Sequence, residues 1–483
     1  MDLERLVTAL EPSQVLGSPA IEVRDLAYDA RAVTPGALFF AVPGEHADGH
    51  DFAGAAVEAG AVAVVVEREL ELPVPQIVVA DSRAAMAPAA DVFFGEPTRE
   101  LEVVGVTGTS GKTTTSFLLF AILAAAGRRP GLLGTVEARV GGERRGVVRT
   151  TPEAIDLQRL FREMLDAGDR SCVMEASSHA SALHRLDRVR FAVLVFTNLS
   201  HDHLDFHGDL ESYFAAKRRL FFAEPRPLAV VNVGDEYGRR LAHELPGAVT
   251  FGLDDESSLA GIDLKLRGRF NLENALAALY AARALGIGDD AIKRGLESVR
   301  GVPGRFESVD VGQPFHVIVD YAHKPDALAN VLRAARELAG GNRVIVVVGA
   351  GGDRDRAKRA PMGRLAAELA DLVIVTSDNP RSEDPEAIAA EIMTGANGAA
   401  EVELDRGAAI ARAVGLARAG DVVLIAGKGA EQGQEFADRT VPFDDRETAK
   451  EALKAMLETS TGYPYRSPRC GRSRWANWRA TQT

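Results

Sequence analysis

Short apolar runs alternate along the chain with stretches that have a helical period. Among the first hundred residues the runs are ALFFAV (37–42) and AVAVVVE (61–67), with the loop sequence PGEHADGHD between them. Runs of this length that are rich in β-branched and aromatic residues are typical of buried strands, and Gly, Pro and Asp mark the loop. The pattern predicts a small α/β domain over residues 1–98.

A second set of runs begins with LEVVGV (101–106), which leads through TGTSGK into the helical sequence KTTTSFLLFAILAAAG. This is a strand, a glycine loop and a helix that stops at Gly127. Further apolar runs lie at 171–175, 191–196 and 228–233. Because strands that alternate with helices form parallel sheets, we expect a second α/β domain over residues 99–301.

The same alternation restarts after the turn sequence GVPGRF. Apolar runs follow at 316–320, 343–349, 372–376 and 422–427. They predict a third α/β domain over residues 302–458. The last segment, 459–483, contains Arg, Ser, Pro and both tryptophans but no acid, so a disordered tail is expected, with a basic aromatic docking segment as the alternative.

Length and charge narrow the class of protein. The 483 residues fit three domains, and the formal net charge of −13 argues against a nucleic-acid partner. Two cysteines, Cys172 and Cys470, are too few for a disulfide framework, and the chain starts without a signal-peptide pattern. No stretch is long and apolar enough to span a membrane. We therefore expect a reducing, cytoplasmic setting with no membrane insertion.

The glycine loop follows a predicted strand and opens a predicted helix, the context in which such loops bind phosphate. Backbone amides would face the phosphates, Lys112 would neutralise them, and the Thr113 hydroxyl could reach Mg²⁺. The GxxxxGK[ST] pattern is not met, because position 106 is Val106. A glycine turn that simply starts a helix is the alternative. The residues predicted to bind ATP here are Gly108, Thr109, Ser110, Gly111, Lys112, Thr113 and Thr114.

A second glycine-rich sequence, GAGGDRD (349–355), is a candidate for a Rossmann loop. It fails on spacing, since the third glycine would fall at Arg354.

The shortened loop GTSGKTT resembles that of the Mur ligase family, which also includes the folylpolyglutamate synthetases. The resemblance implies an α/β fold of three domains: a small N-terminal α/β domain that binds a UDP-substrate, a central P-loop ATPase domain with a mainly parallel sheet, and a C-terminal Rossmann-like α/β domain that binds an amino acid. It also implies an ATP-dependent acid–amino-acid ligase that uses ATP and Mg²⁺, takes small-molecule substrates and is a monomer.

Polar residues follow two strands of the predicted central sheet. Glu175 ends SCVME, at the edge where the phosphate loop lies, so it could join Thr113 around Mg²⁺. The loop TNLSHDHLDFHG has no spaced Cys/His pairs of a structural zinc site and taken alone is an exposed polar loop. The resemblance implies instead that His203 supports a second Mg²⁺ and that Lys217 is carbamylated, which requires a neutral amine. From the sequence alone, Lys217 is one basic residue of a solvated KRR face.

Two further segments are similar to the nucleotide-binding regions of the family. RGRFNLENALAA (267–278) contributes Asn271 and Asn274, and the stretch from VPGRFE to VDYAHKPDAL contributes Arg305, Asp320 and His323. The resemblance implies that these side chains lie at the nucleotide. Asp320 and His323 could equally be helix-capping residues.

The segments RTTPEA, EASSHASALHRL and DNPR are similar to the branch of the family that adds the third amino acid of the peptidoglycan stem. This implies that the UDP-muramoyl-dipeptide is held by Thr150, Thr151, Ser177 and Arg185, together with Ala30, Glu45, His46 and Ala47 of the N-terminal domain. Hydroxyls and an arginine fork suit a substrate that is rich in carboxylate and carbonyl oxygens. TTP could also be a plain helix N-cap.

The DNPR form resembles ligases that use meso-diaminopimelate, in which the arginine pairs with the far carboxylate of the acceptor. Lysine has an ammonium there, which Arg381 would repel. DNP alone could be an Asx turn. The residues that the resemblance assigns to diaminopimelate are Arg354, Asp378, Asn379, Pro380, Arg381, Gly427 and Glu431.

The expected function is therefore addition of meso-diaminopimelate to UDP-muramoyl-dipeptide through an acyl phosphate, in peptidoglycan precursor synthesis. Three alternatives stay open: a lysine-adding ligase, a nucleotide-binding homologue with impaired activity, and a folylpolyglutamate-type ligase. The second is motivated by departures from the family pattern, namely Ala30 in place of serine, Ala430 in place of histidine, and a short segment at 252–266.

Overall fold

The computed structural model describes residues 1–44 and 47–461, with side chains up to residue 458. Glu45 and His46, both predicted to bind substrate, and nearly all of the predicted tail 459–483 lie outside the described residues. The chain divides into two compact units, Met1–Pro303 and the part from Gly304 onward.

The first unit opens with a five-stranded sheet in the order β1-β5-β4-β3-β2, parallel except for the β1/β5 pair. Its strands are β1 (Gln14–Leu16), β2 (Asp25–Ala27), β3 (Ala37–Phe40), β4 (Ala63–Val66) and β5 (Gln76–Val78). Its helices are α1 (Leu3–Leu10), α2 (Ala53–Glu58) and α3 (Ser82–Phe93). Helix α3 begins where the Asp81 carboxylate accepts a hydrogen bond from the Ala84 amide, a standard N-cap.

The same unit contains an eight-stranded sheet in the order β13-β12-β11-β6-β10-β7-β8-β9. Its strands are β6 (Glu102–Thr107), β7 (Pro130–Leu133), β8 (Ala138–Val140), β9 (Glu143–Arg145), β10 (Ser171–Glu175), β11 (Phe191–Phe196), β12 (Leu228–Asn232) and β13 (Val249–Phe251). Six neighbouring strands, β7, β10, β6, β11, β12 and β13, are parallel to one another. The antiparallel strands β8 and β9 turn at Gly141 and Gly142, both at positive φ, and were not predicted from the sequence.

Helices cover both faces of this sheet. They are α4 (Lys112–Ala125), α5 (Ala154–Asp166), α6 (Ser178–Ala182), α7 (Leu204–His207), α8 (Leu210–Arg218), α9 (Glu236–Glu244), α10 (Arg269–Ala284) and α11 (Asp289–Ser298). Adjacent residues Val103 and Val104 of β6 point into different cores, one with Phe161 and Phe214 and the other with Leu118. A strand buried on both faces is continuously apolar, as this one is.

The short segment noted in the sequence connects β13 to α10. Between them the described chain has a 3₁₀ helix at Leu253–Leu259 and no strand.

The second unit has a six-stranded sheet in the order β14-β15-β19-β16-β17-β18, parallel except for β14/β15. Its strands are β14 (Glu307–Ser308), β15 (His316–Asp320), β16 (Val344–Val348), β17 (Leu372–Val375), β18 (Glu401–Val402) and β19 (Val422–Ala426), followed by a separate hairpin of β20 (Gly433–Glu435) and β21 (Thr440–Pro442). Its helices are α12 (Pro325–Ala339), α13 (Arg359–Leu369), α14 (Pro385–Ala396), α15 (Arg406–Leu416) and α16 (Asp445–Thr461).

The predicted fold class, three α/β parts with mainly parallel sheets, is confirmed by these three sheets. The exact domain boundaries remain predictions. Within the described part of the chain, no helix combines the length and apolar character needed to cross a membrane.

Candidate active site

The phosphate loop joins the end of β6 to the start of α4. Gly108 and Gly111 have φ of +146° and +87°. A Cβ at Gly108 would lie 1.9 Å from Thr197 Oγ1, and one at Gly111 would lie 2.3 Å from Asn274 Oδ1. Both positions therefore require glycine, for backbone conformation and for space. The conformation of the loop is therefore fixed by packing, and the loop is not merely a glycine turn that starts a helix.

Hydrogen bonds from the segment that follows β11 and from the start of α4 fix the loop. Thr109 N donates to Asn198 O at 2.8 Å, Ser110 N donates to Asn198 Oδ1 at 2.9 Å, and Thr197 Oγ1 donates to Ser110 O at 2.7 Å. Lys112 Nζ folds back and donates to Gly108 O and Thr109 O at 2.9 and 2.8 Å. An ammonium held at the loop is in place to meet phosphate oxygens. Thr113 and Thr114, the next residues of α4, are both buried.

The asparagines of α10 lie beside the loop. Asn274 is buried, its Oδ1 accepts from Thr115 Oγ1 at 3.4 Å, and its Nδ2 donates to Asn271 Oδ1 at 3.0 Å. Asn271 Nδ2 in turn donates to Arg267 O at 2.7 Å. The structure thus places Asn274 beside Gly111 of the phosphate loop and bonds it to Thr115 of α4, and Asn271 contacts Asn274.

Glu175 ends β10, whose register places it opposite Val106 of β6. Its buried carboxylate accepts from Thr135 N at 2.8 Å and from Thr135 Oγ1 at 3.0 Å. The residues beside it are small, since a Cβ at Gly134 would lie 2.6 Å from Glu175 Oε1. A buried carboxylate with hydroxyl neighbours is a donor set that suits a hard divalent cation.

Within the described residues, no three or more His, Cys, Asp or Glu side chains cluster as metal ligands. Mg²⁺ at ATP sites is usually held by one or two carboxylates together with phosphate and water oxygens. Glu175 and Thr113 fit that mode of binding.

Lys217 of α8 is almost fully buried and donates from Nζ to Gly108 O at 2.9 Å. Its ammonium lies 4.6 Å from the ring centre of Tyr213, and Tyr213 Oη lies 3.2 Å from Thr109 Oγ1. The solvated KRR face expected from the sequence alone is therefore wrong for Lys217, because its side chain turns inward to the phosphate loop. Burial and the charge of Asp202 raise the pKa of the Tyr213 hydroxyl.

His203 precedes the short helix α7 with a φ of +53°, and its Nε2 lies 3.0 Å from Asp202 Oδ2. Its ring packs edge-on against His179 and Tyr213, with centroid distances of 4.6 and 6.2 Å. Burial, followed by the neighbouring histidines, lowers the pKa of His179 to about 4, and burial and His203 do the same for His207. The histidine-rich sequence is therefore a packed cluster that reaches Tyr213.

The residues predicted to hold the UDP-substrate in this unit meet at one place. Thr151 Oγ1 donates to Glu175 O at 2.7 Å and lies 3.3 Å from Ser177 Oγ, and Arg185 Nη1 donates to Thr151 O at 3.2 Å. Thr150 Oγ1 lies 3.1 Å from Thr135 Oγ1. The alternative that TTP caps a helix is wrong, since α5 begins after Glu153.

Glu153, which the sequence analysis did not identify, pairs with three arginines. Its carboxylate lies 2.8 Å from Arg185, 2.8 Å from Arg149 and 3.6 Å from Arg83. Burial lowers the pKa of Arg185, and Glu153 acts in the opposite direction. With one acid among three cations the cluster has an excess of positive charge, which favours an anionic ligand.

Two of the predicted substrate-binding residues of the N-terminal domain, Ala30 and Ala47, lie in the described structure. Ala30 starts a 3₁₀ helix capped by Asp29, whose carboxylate pairs with Arg31. Ala47 O accepts from Gly44 N at 2.9 Å.

In the second unit two of the three predicted nucleotide residues, Arg305 and His323, contact Tyr321, and the third, Asp320, directly precedes it. The Arg305 guanidinium lies 4.4 Å from the centre of the Tyr321 ring, and His323 Nδ1 lies 2.8 Å from the Tyr321 carbonyl oxygen. Asp320 accepts from Phe306 N and Ala322 N, both at 2.7 Å, and burial raises its pKa. The helix-cap alternative is wrong for Asp320 and His323, because the N-cap of α12 is Lys324.

The predicted acceptor residues Asp378, Asn379 and Glu431 meet on a buried lysine that the sequence analysis missed. Lys428 Nζ lies 2.8 Å from Asn379 Oδ1, 2.8 Å from Glu431 Oε2 and 3.9 Å from Asp378 Oδ1. Asn379 Nδ2 also donates to Glu431 Oε2 at 2.9 Å. These contacts join distant parts of the chain, so Asn379 does not form a local Asx turn. Gly427 has a φ of +122°, and a Cβ there would lie 2.4 Å from Asp378 Oδ2.

Arg381 lies at positive φ, +52°, next to buried Pro380. Its Nε donates to Glu435 Oε2 at 2.7 Å and its Nη1 donates to Gly352 O at 2.8 Å. Arg354 is exposed and bonds to the carbonyl of Asp353 at 3.2 Å. The structure therefore links Arg381 to the cluster through β20, whereas among the described residues Arg354 forms no hydrogen bond or ion pair with it.

Models of Mur ligase domains match the chain in three places. The Mur ligase family catalytic domain matches residues 22–94, the Mur ligase middle domain matches 106–282, and the Mur ligase glutamate ligase domain matches 304–429.

Curated relatives match along almost the whole chain. Enzymes named UDP-N-acetylmuramoyl-L-alanyl-D-glutamate--2,6-diaminopimelate ligase are similar to it in Solibacter usitatus, at 47% identity over 90% of this chain and 94% of that protein, and in Streptomyces coelicolor, at 46% over 90% and 93%. A solved structure of a ligase of the same name matches with a TM-score of 0.63 and 32% identity, covering 93% of this chain and 99% of that one. The chain belongs to the Mur ligase family.

Proposed function

We propose that the protein is an ATP-dependent ligase that adds meso-diaminopimelate to UDP-N-acetylmuramoyl-L-alanyl-D-glutamate in peptidoglycan precursor synthesis. The observation that carries the proposal is Arg381, a quarter-exposed guanidinium tied to the cluster of Asp378, Asn379 and Glu431. The guanidinium of Arg381 can pair with the far carboxylate of the acceptor, and the carboxylates of Asp378 and Glu431 can pair with the ammonium groups of the acceptor. Both curated relatives described above carry a name with this acceptor.

The reaction needs no nucleophile from the protein. The carboxylate of the substrate's glutamate attacks the γ-phosphorus of ATP, and ADP leaves with the electrons of the broken P–O bond. The acceptor amine then attacks the acyl carbon, and phosphate leaves from the tetrahedral intermediate. The residues that act on the first step are the amides of the phosphate loop and Lys112, which hold and neutralise the phosphates.

Mg²⁺ would be held by Thr113 and Glu175 with phosphate oxygens, and it would supply positive charge to the phosphates. His203 and a carbamate on Lys217 would support a second Mg²⁺. Support for the carbamate is the position of Lys217, whose amine is buried beside the loop carbonyl of Gly108. Carbamylation would replace a buried cation by an anionic oxygen ligand.

Thr150, Thr151, Ser177 and Arg185 bind the peptidyl part of the UDP-substrate in this proposal. Support comes from their mutual contacts and from the excess of positive charge around Glu153. Asn271, Asn274, Arg305, Asp320 and His323 serve the nucleotide, the asparagines from beside the loop.

We also propose the boundaries and roles of three domains, the location of the protein and its oligomeric state. The domains are 1–98 for the UDP-substrate, 99–301 for ATP and 302–458 for the amino acid. The protein works as a cytoplasmic monomer on small molecules, without a nucleic-acid partner.

The test is ADP release by the purified full-length protein. With UDP-muramoyl-dipeptide, ATP, Mg²⁺ and meso-diaminopimelate present, we expect continuous ADP formation, and omission of any one substrate should stop it. If ATP binds and no ADP forms with any amino acid, the protein is a nucleotide-binding homologue without ligase activity. Turnover with a folate and glutamate, and none with the UDP-substrate, would replace the proposal by the folylpolyglutamate type.

A further inference from the structure

Glu435 contacts two of the predicted acceptor residues at once, although nothing in the sequence pattern marked it. Its backbone N–H donates to Asn379 Oδ1 at 3.0 Å. Its backbone carbonyl accepts from Arg381 N at 3.1 Å, and its carboxylate accepts from Arg381 Nε at 2.7 Å. One residue of β20 therefore fixes both the main chain and the guanidinium of Arg381, and connects them to Asn379.

The guanidinium of Arg381 keeps donors for a ligand. Two of its five N–H groups have protein acceptors in the described structure, Glu435 Oε2 through Nε and Gly352 O through Nη1. These two anchors come from different segments and hold the group on two sides. The pair lies on a shallow, open groove of about 470 Å³ that is also lined by Asp353, Ser382 and Phe436, so a small molecule can reach it.

We propose that Glu435 is a positioning residue for acceptor binding: it holds Arg381 so that the remaining guanidinium N–H groups face the far carboxylate of a diamino dicarboxylic acid. The inference rests on the proposed function, which it deepens by adding a residue that sets acceptor specificity. Arg381 lies at positive φ, a conformation that disfavours non-glycine residues, and the two hydrogen bonds that its backbone N and its Nε donate to Glu435 help to maintain it.

The expected change in KM depends on how exposed the side chains of Arg381 and Glu435 are. The side chains of Arg381 and Glu435 are 25% and 48% exposed, so the ion pair is partly screened by water. Such pairs change a free energy by about 1 kcal/mol at most, which corresponds to about a fivefold change in KM. We expect Glu435→Ala to raise KM for meso-diaminopimelate by about fivefold, with kcat at saturating acceptor and KM for ATP changed by less than about twofold.

Two further variants separate positioning from other roles. Glu435→Gln keeps an oxygen that accepts from Arg381 Nε, so its KM should stay near that of the wild type. Glu401→Ala removes an ion pair of matching geometry, in which Arg412 Nε donates to Glu401 Oε2 at 2.8 Å, and this pair has no contact with the acceptor residues. That variant should have unchanged kinetics.

The ratio of kcat/KM for meso-diaminopimelate to kcat/KM for lysine separates positioning of Arg381 from a nonspecific loss of structure. A nonspecific loss of structure at the acceptor site would affect both amino acids and leave this ratio unchanged. Lysine has no far carboxylate, so Glu435→Ala should lower this ratio about fivefold by acting on diaminopimelate alone.

A lower KM in Glu435→Ala would show that the carboxylate competes with substrate for Arg381, and an unchanged KM would show that it does not act on binding. Either result overturns the inference and leaves the proposed function intact. Failure of the proposed function is a separate result, since the wild type would then release no ADP with diaminopimelate.

Discussion

Replacement of Lys428 by methionine should disturb the acceptor cluster and leave the phosphate loop unchanged. The side chain of Lys428 is fully buried, and its ammonium donates to Asn379 and Glu431 while lying 3.9 Å from Asp378. Methionine has nearly the same length and volume but donates no hydrogen bond. The variant therefore removes charge and hydrogen bonds without opening a cavity.

The expected loss of stability depends on how deeply Asp378 and Glu431, the charged partners of Lys428, are buried. Removing one partner of a fully buried ion pair costs about 3–5 kcal/mol, because the other charge stays uncompensated. The Glu431 side chain is 36% exposed and can regain water, whereas that of Asp378 is 8% exposed and cannot. We therefore expect the lower end, a decrease of about 3 kcal/mol in the free energy of unfolding. Because Asn379 and Glu431 lose their shared donor, KM for the acceptor should rise about tenfold.

Urea unfolding and steady-state kinetics measure the two effects. Lys450→Met is the control, since Lys450 forms an exposed i,i+3 pair with Glu447 and should change stability by less than about 0.5 kcal/mol. In the double variant Lys428→Met/Asp378→Asn the buried uncompensated charge is gone, so part of the lost stability should return, with a coupling of about 1–3 kcal/mol. Additive stabilities and an unchanged KM in Lys428→Met would refute the reasoning.

Three further variants test other parts of the molecule. Gly111→Ala should weaken ATP binding at least about tenfold by calorimetry, because its Cβ would lie 2.3 Å from a buried asparagine oxygen, whereas Gly142→Ala, at a similar positive φ with open space, should bind ATP normally. Lys217→Ala should form no ADP and should lack the carbamate signal that ¹³CO₂ gives in the NMR spectrum of the wild type; full activity would remove Lys217 from the mechanism. The side chain of Arg359 is fully buried and pairs with Glu383 at 2.8 Å and with Glu391 at 2.9 Å. Arg359→Met should therefore lower the free energy of unfolding by about 3 kcal/mol at pH 7, and by less at pH 3. Hydrogen bonds from Arg359 lower the pKa of Glu383 from 4.5 to about 2, so their stabilising effect is lost as the pH falls through that range, and a pH-independent difference would contradict this.

The strands and the phosphate loop could be predicted because their signals are local. The continuous apolar run at β6, followed by glycines and Lys112, specifies a buried strand and a helix start within a dozen residues. The hairpin of β8 and β9 could not be predicted in the same way, because β9 is the exposed sequence ERR and depends on pairing with its neighbour.

Site residues that act through long-range contacts were missed for a related reason. Glu153, Lys428 and Glu435 are ordinary charged residues in the sequence, and only the fold brings each one to partners elsewhere. For Lys428 a local signal was its position just after β19, a strand that is buried at every residue. Lys217 shows the opposite case: family resemblance favoured a site role, and the side chain is buried against Gly108 despite its basic neighbours.

Competition between two acceptors tests the central claim most directly. The purified protein is given UDP-muramoyl-dipeptide, ATP and Mg²⁺ with equal amounts of meso-diaminopimelate and L-lysine, and the product is identified by mass spectrometry. Arg381 attracts a far carboxylate and repels a far ammonium, so the account predicts the diaminopimelate tripeptide as the product, and a large loss of this preference in Arg381→Ala. Formation of the lysine tripeptide as the main product of the wild type would contradict it.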